Sequence, residues 1–275
     1  MTESDFLASM AAASRLRVRA ARKLRSEAAL QNSLRSLPPV PRLELGDFDV
    51  IAELKLRSPA AGGLVAAQFD AASQIEAYAA GGAAAVSVLT EPQRFQGSLQ
   101  HLQDAAETLG GHAIPVMRKD FLTDPYQVLE ARAAGASGVL VIVTMLDDAE
   151  VMELLDCARE LGLFVLLEAF DTEDLARMGR LDLRAGAAPV LAGVNCRNLK
   201  DLQVDFERFT PLAAALPRHL PGIAESGIET PAQAARVAEL GFRGALVGSA
   251  LMRAKDPARS LAELIAAGRR VLAET

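Results

Sequence analysis

The 275-residue chain is 51% hydrophobic and 23% charged, with a net charge of −6, which is typical of a folded globular protein. No apolar run approaches the roughly 20 residues of a membrane-spanning helix, and the acidic balance, with no Trp and two Tyr, argues against a nucleic-acid partner. The N-terminal residues MTESDFLASM do not have the pattern of a signal peptide. Two widely separated cysteines, Cys157 and Cys196, predict reduced thiols and a cytoplasmic protein.

The first predicted element is a surface helix in the basic segment SRLRVRAARKLR, residues 14–25. We expect its apolar residues to lie on one side, away from the arginines: Leu16, Val18, Ala20, Ala21 and Leu24. A patch for nucleic acid or an anionic membrane is the alternative, and the acidic balance of the whole chain disfavours it. The proline-rich stretch SLPPVPRLEL, residues 36–45, ends this helical region.

Short apolar runs alternate with helical patterns after residue 45. Eight runs rich in leucine and β-branched residues are predicted strands: 48–54, 83–89, 114–119, 138–143, 164–169, 190–195, 221–226 and 244–248. Helical patterns such as DPYQVLEARAAG and TPAQAARVAELG lie between them, and several begin with Asp or Thr and end with Gly, as helix caps do. Eight such units predict an α/β fold, a closed (β/α)8 TIM barrel.

An open, doubly wound sheet is the alternative architecture. Such a sheet is expected to carry a G-x-G-x-x-G fingerprint after its first strand, and this sequence has none. We therefore predict an N-terminal helical extension, residues 1–45, followed by a barrel domain, residues 46–275.

Charged and polar residues follow the apolar runs at most of the predicted strand ends. The C-terminal ends of barrel strands meet at one mouth, where active sites lie. Any one of these residues could be a solvated loop residue, but their recurrence at equivalent places favours a site. Acids and bases crowded in a partly desolvated cup shift one another's pKa, which yields a general acid and a general base near neutral pH. The strand-end residues are Glu53, Lys55, Arg118, Lys119, Glu168, Asn195, Arg197, Glu225, Ser226, Gly248 and Ser249.

A phosphate site is predicted after the seventh and eighth strands. The segments AESGIETP (224–231) and GALVGSALM (244–252) place Gly227, Gly248 and Ser249 at these strand ends. In barrels the loops after strands seven and eight, with a short helix, commonly bind phosphate through backbone N–H groups. The alternative is that these glycines only form tight turns.

Six blocks carry a family resemblance over residues 50 to 257. In order and spacing they resemble the indole-3-glycerol phosphate synthase family, and RKDF-x-x-DPYQ and N-x-RNL are specific to it among phosphate-binding barrels. The blocks are IAELKLRSP, VSVLTEPQRFQGS, PVMRKDFLTDPYQVLEARAAGA, LLEAFDTEDL, GVNCRNLKDLQVD and IAESGI…ALVGSALMRAKDP.

The resemblance implies an enzyme of tryptophan biosynthesis, with neither cofactor nor metal. It would convert 1-(2-carboxyphenylamino)-1-deoxyribulose 5-phosphate to indole-3-glycerol phosphate, releasing CO₂ and water. The resemblance makes Lys119 the general acid and Glu168 the general base of dehydration. Lys55 would pair with Glu53 and stabilise developing charge, and the division of the acid role between Lys55 and Lys119 stays open.

The resemblance also implies the substrate contacts. Three residues would orient the substrate: Asn195, Arg197 and Glu225. The phosphate would lie against Lys55, Gly227, Gly248 and Ser249, Ser58 and Ser226 are further substrate contacts, and Phe121 and Leu199 would wall the anilino ring. We expect a small phosphorylated substrate as the partner, and a monomer.

Three positions depart from the family pattern. Leu56 stands where a basic residue is common, Ala60 replaces a serine, and Cys196 replaces Asn or Asp in N-x-RNL. These departures put substrate affinity in question more than the reaction.

Two other functions compete with the synthase. A phosphoribosylanthranilate isomerase-like barrel is expected to end its first strand in Cys, whereas this strand ends in Glu53 and Lys55. A non-catalytic paralogue that binds a sugar phosphate is supported only by the altered 56–60 segment.

Overall fold

The computed structural model describes residues 3–58, 62–63, 69–183, 188–198 and 203–273. Eight parallel strands close into a barrel in which each strand pairs with its neighbours in chain order and the first pairs with the last. The strands are β1 (Asp49–Leu54), β2 (Ala85–Leu89), β3 (Val116–Lys119), β4 (Gly138–Ile142), β5 (Phe164–Ala169), β6 (Val190–Asn195), β7 (Gly222–Glu225) and β8 (Gly244–Val247). All eight predicted strands and the barrel are confirmed. A short antiparallel pair joins Arg57–Ser58 to Gly62–Gly63.

Helices follow the strands and cover the outside of the barrel. They are α1 (Glu3–Leu24), α2 (Glu27–Leu34), α3 (Ala71–Ala80), α4 (Pro92–Phe95), α5 (Leu99–Thr108), α6 (Pro125–Ala133), α7 (Asp148–Glu160), α8 (Thr172–Met178), α9 (Phe209–Ala214), α10 (Pro231–Glu239), α11 (Ser249–Arg253) and α12 (Pro257–Ala273).

The helix starts follow from capping residues in the sequence. The Asp124 carboxylate caps α6 by accepting from the Tyr126 N–H, and Asp147 and Thr230 form capping boxes on α7 and α10. Caps that follow a strand closely fix where each helix begins and therefore how the loop at the mouth is shaped.

Alternate residues of each strand face opposite sides of the barrel wall. One cluster fills the interior and includes Ile51, Met117, Leu140, Leu166, Leu191, Ile223 and Leu246. The other packs between wall and helices and includes Val50, Val86, Val139, Leu167, Val194, Ala224 and Val247. Because both faces are apolar, the strands read as continuous hydrophobic runs.

The N-terminal helix α1 is buried along one stripe, which includes Val18 of the expected apolar residues but not Leu16 or Leu24. Its buried residues are Leu7, Met10, Ala11, Ser14 and Val18, and Leu7 and Met10 join the interior cluster of the barrel. Leu16 and Leu24 are 63% and 91% exposed, so their predicted place on the apolar face was wrong. The boundary near residue 45 between extension and barrel stays a prediction.

Two further sequence expectations bear on the class of protein. Cys157 and Cys196 are both free thiols. Among the described residues, no helix is long and apolar enough to cross a membrane.

Candidate active site

Six polar side chains form a cluster at the C-terminal ends of β1, β3, β5, β6 and β7. We call this set the mouth cluster: Glu53, Lys55, Lys119, Glu168, Asn195 and Glu225. Four of its members are buried, and the side chains of Lys55 and Lys119 are 15% and 16% exposed. The sequence-predicted acids and bases therefore converge on one cup, as the alternation along the strands requires.

Lys119 lies between two carboxylates. Its Nζ donates to Glu225 Oε2 at 3.0 Å and to Glu168 Oε2 at 3.4 Å. These partners come from β7 and β5, so one lysine joins three strands across the barrel. Glu225 Oε1 is buried and has no hydrogen-bond partner within the described part of the chain.

Glu168 is held from its other side by Asn195. The Asn195 amide Nδ2 donates to Glu168 Oε1 at 2.7 Å, and Asn195 Oδ1 accepts from the backbone N–H of Arg197 at 3.0 Å. The second bond fixes which way the Asn195 amide faces. Asn195 therefore orients the Glu168 carboxylate.

Glu53 and Lys55 form an ion pair at the end of β1. Lys55 Nζ lies 2.5 Å from Glu53 Oε1. Burial alone would raise the pKa of the Glu53 carboxyl, but the charges of Lys55, Lys119 and Arg197 outweigh it and lower that pKa below its ordinary value. Glu53 is therefore an anion that keeps positive charge at the mouth.

Lys119 and Glu225, at the centre of the cluster, both favour their protonated forms. Burial would lower the pKa of Lys119, but Glu168, Glu225 and Glu53 raise it above its ordinary value, so Lys119 carries its proton at neutral pH. Burial and the nearby Glu168 carboxylate raise the pKa of Glu225 to about 8, although Lys119 opposes this. The site therefore holds a protonated amine beside a carboxyl that resists ionisation.

Arg118 does not belong to the mouth cluster. It lies on the helix side of β3, where its guanidinium donates to Asp120, to Thr90 and to the Gln127 carbonyl of α6. Our expectation that Arg118 and Lys119 share the cup is therefore wrong for Arg118, because adjacent residues of a strand face opposite sides. We call its surroundings the rim network: Arg17, Thr90, Glu91, Arg118, Asp120 and Glu130.

An aromatic wall stands beside the cup. Phe121, buried after β3, has its ring 6.1 Å from that of Phe6 in an edge-to-face arrangement and 6.3 Å from that of Phe95. Only Phe121 was predicted. Phe95 lay within the quoted block VSVLTEPQRFQGS and Phe6 in the N-terminal extension, and an isolated Phe there carries no signal of its own.

The predicted phosphate residues lie after β7 and β8. Ser226 and Gly227 both have a left-handed backbone, with φ of 68° and 72°. A side chain at Gly227 would meet Val204 at 2.8 Å and Cys196 at 3.1 Å, so this turn needs glycine for both conformation and space. Helix α11 begins at Ser249, next to Gly248, and the first N–H groups of a helix have no acceptor within it.

The remaining sequence-predicted positions are only partly described. Ser58 lies in the short antiparallel pair, and Leu199 and Ala60 lie outside the described residues. Cys196 is buried, and its thiol donates to the Ser226 carbonyl at 3.4 Å. Burial raises the pKa of the Cys196 thiol to about 12, so it is a packing residue beneath the Ser226 turn and not a nucleophile.

Metal binding has no candidate group in the described ranges: no three His, Cys, Asp or Glu side chains there are arranged to hold an ion.

Solved structures share the barrel fold. The solved 3-hexulose-6-phosphate synthase from Salmonella typhimurium matches with a TM-score of 0.61 at 17% identity, over 81% of this chain and 99% of that one. Thiamine phosphate pyrophosphorylase from Pyrococcus furiosus matches with a TM-score of 0.57 at 16% identity, over 82% and 96%. At these identities the likeness shows the fold alone.

Sequence relatives are much closer. An indole-3-glycerol phosphate synthase of Kineococcus radiotolerans is 43% identical over 219 residues, covering 80% of this chain and 76% of the relative. One of Azospirillum brasilense is 38% identical over 271 residues, covering 96% and 100%. The family model described as indole-3-glycerol phosphate synthase matches residues 7–264, which include most of α1 and all eight strands. All six residues of the mouth cluster lie within the matched range. The chain belongs to the indole-3-glycerol phosphate synthase family.

Proposed function

We propose that the mouth cluster closes the indole ring of 1-(2-carboxyphenylamino)-1-deoxyribulose 5-phosphate, acting as a carbon–carbon lyase that releases CO₂ and water. The observation that carries this proposal is the position of Lys119, a protonated amine held between Glu168 and Glu225. Ring closure needs an acid in the cup, and dehydration needs a base within reach of the same substrate atoms.

Lys119 acts first. The ring carbon that bears the carboxylate attacks the ribulose carbonyl carbon, a carbon–carbon bond forms, and Lys119 gives its proton to the carbonyl oxygen. The raised pKa of Lys119 keeps that proton available at neutral pH. Lys55 and Arg197 keep further positive charge near the site, as their effect on the pKa of Glu53 indicates, and this charge favours the substrate carboxylate and phosphate.

Decarboxylation and dehydration follow. Loss of CO₂ returns the bonding electrons to the ring. The new hydroxyl then takes a second proton, from Lys55 or Lys119, and leaves as water while Glu168 removes one proton from the ring system. Two protons enter and one leaves, so one proton is consumed overall, which balances the loss of the carboxylate charge.

Asn195 is a positioning residue for the base. Its amide holds Glu168 Oε1, so Glu168 presents Oε2 toward Lys119 and the substrate. We assign Glu225 and Ser226 to the ribulose hydroxyls and Gly227, Gly248, Ser249 and Lys55 to the phosphate. Phe121, with Phe6 and Phe95, supports the anilino ring by apolar contact.

Three further properties are part of the proposal. The enzyme works without cofactor or metal, it is a monomer, and it acts in the cytoplasm. An acid–base mechanism needs no electron carrier, and two free thiols fit a reducing compartment.

The test is an assay of the purified chain with the carboxyphenylamino substrate, without added metal or nucleotide and with a chelator present. We expect a rise in indole fluorescence and one CO₂ per product. The absence of product at high enzyme concentration would contradict the proposal, and tight binding of a substrate analogue without turnover would identify the non-catalytic alternative.

A further inference from the structure

One glycine of the barrel interior lies where a side chain would be expected. Gly193 is in β6, where Leu191 is in the interior cluster and Asn195 bonds Glu168 in the mouth cluster, so position 193 faces inward by alternation. It pairs with Glu168 of β5 on one side and with Ile223 of β7 on the other. Gly193 therefore lies level with the proposed base and two residues below Glu225.

The space of the missing side chain is taken by Glu225. A Cβ on Gly193 would lie 2.2 Å from Glu225 Oε1, far inside the 3.0 Å below which real Cβ contacts are essentially never seen. It would also lie 3.1 Å from Leu166 Cδ1. The Glu225 carboxyl group thus occupies the space beside the Cα of Gly193 on the neighbouring strand.

The backbone of Gly193 does not require glycine. Its φ lies outside the left-handed region in which other residues are strained, and glycine inside a strand weakens the strand because it has no side chain to pack. What the position does require is room, and the group that uses the room is a buried carboxylate of the mouth cluster.

The space beside Gly193 determines where the two Glu225 oxygens lie. Oε2 accepts from Lys119 at 3.0 Å, whereas Oε1, the atom nearest to Gly193, is buried without a partner in the described part of the chain. A methyl group at 193 could not avoid the overlap by shifting toward Leu166, because it would already be 3.1 Å from Leu166 Cδ1. The Glu225 carboxyl group would therefore have to move, and its contact with Lys119 would change.

We propose that Gly193 is a positioning residue: because it has no side chain, Glu225 can lie beside it and contact Lys119 in the geometry used for ring closure. The inference rests on the proposed function, because it acts through Lys119. A related arrangement exists at Gly248, where a Cβ would lie 2.3 Å from Glu53 Oε1, but Gly248 is also assigned to the phosphate and is not a clean test.

The experiment compares Gly193→Ala with Gly222→Ala, a glycine of β7 whose Cβ would meet Leu216 and Phe242 on the helix side. We expect Gly193→Ala to lower kcat at least tenfold. We expect Gly222→Ala to lower the thermal midpoint while its kcat stays within about threefold of wild type. Steady-state kinetics and thermal unfolding measure both variants.

A double-mutant cycle with Glu225→Ala separates positioning from a general disturbance of the barrel. Without the Glu225 carboxylate the methyl group has room, so Gly193→Ala should change kcat less than about threefold in that background. Equal losses of kcat in both backgrounds, or a single variant with kcat within threefold of wild type, would overturn the proposal.

Folding failure is also informative. If Gly193→Ala does not fold but Gly193→Ala/Glu225→Ala does, the clash with the carboxylate is supported; if neither folds, Gly193 serves packing alone and the proposal is wrong. An inactive wild type would instead refute the proposed function, so the two failures are distinguishable.

Discussion

Arg118 and Lys119 are neighbours on one strand, and they carry the same charge into two different environments. The Arg118 guanidinium has partners on several sides: Thr90, Asp120, Glu130 and the Gln127 carbonyl. Lys119 lies between the side chains of Glu168 and Glu225, in a cup where one carboxyl oxygen, Glu225 Oε1, has no partner in the described part of the chain. We call the surroundings of Arg118 a closed network, because acceptors surround its guanidinium. We call the surroundings of Lys119 an open network, because one buried carboxyl oxygen there has no hydrogen-bond partner in the described part of the chain.

The difference between the networks distinguishes a cation that stabilises the fold from one that is available for catalysis. Every buried charge costs free energy unless it is paired and hydrogen-bonded, and the rim network meets this condition with protein atoms alone. The mouth cluster leaves the hydrogen-bonding capacity of Glu225 Oε1 unused within the described part of the chain, and substrate atoms would supply the partner. Cations of similar burial can therefore be assigned different roles by asking what remains unpaired around them.

The largest effect is expected for Lys119→Met, which tests whether Lys119, unlike Arg118, serves catalysis. We expect kcat to fall by about 10³-fold or more, because general acid catalysis contributes about 10²–10⁴-fold and the proton for ring closure has no other well-placed donor. Single-turnover fluorescence measures the loss. A near-normal kcat would remove Lys119 from the acid role and favour Lys55.

The matched control is the neighbouring variant Arg118→Met. Removing one partner from a buried ion network costs about 3–5 kcal/mol of unfolding free energy, since Asp120 would be left buried beside fewer cations. We expect a large fall in denaturant midpoint with kcat of the folded enzyme within about threefold of wild type. A collapse of kcat with unchanged stability would mean that the two sides of β3 are not independent.

A pH experiment tests the open network itself. The pKa of Glu225 is raised from 4.5 to about 8, so the stability that the neutral carboxyl contributes is fully present below pH 4.5 and is lost as pH rises through 8. Glu225→Gln has no such proton to lose. We expect its thermal midpoint, relative to wild type, to rise by about 8–16 °C between pH 5 and pH 9, since the linked loss of wild-type stability over that range is about 4 kcal/mol.

The control for the pH experiment is Glu130→Gln in the rim network, where Arg118 already pairs with the carboxylate. This variant should not gain relative stability at high pH. A flat difference for Glu225→Gln would show that Glu225 is ionised throughout and that the mouth is more fully paired than its geometry indicates.

The smallest effect is expected at the mouth position where charge is missing. Leu56 is half-buried next to Lys55 and is one of the three departures from the family pattern noted in the sequence. Leu56→Arg would add a partly exposed cation for the substrate carboxylate, and such pairs contribute about 0.2–1 kcal/mol. We expect KM to fall by at most about fivefold with kcat unchanged. Leu56→Gln supplies the uncharged control, and an equal gain there would rule out charge as the cause.

Much of the fold could be predicted, since strand period, helix caps and spacing all agree. Strand-end position also found Lys119 and Glu168. Alternation along the strand means that only one of Arg118 and Lys119 can face the cup. It could not tell which one, because both faces of these strands are apolar. Helix α1 likewise has two apolar stripes, and contacts with the barrel select the one at Met10, not the one at Leu16. The aromatic wall joins three distant segments, which no local pattern could predict.

The two ends of the chain offer unequal places for attaching anything. Phe6 lies against Phe121 at the mouth, so a tag or immobilising linker joined before α1 would be tethered at the substrate entrance. At the other end, α12 packs on the outer wall against β1 and α10, and its Arg269 binds Asp49 at the opposite rim of the barrel. A support coupled through the C-terminus would therefore leave the entrance facing the solution.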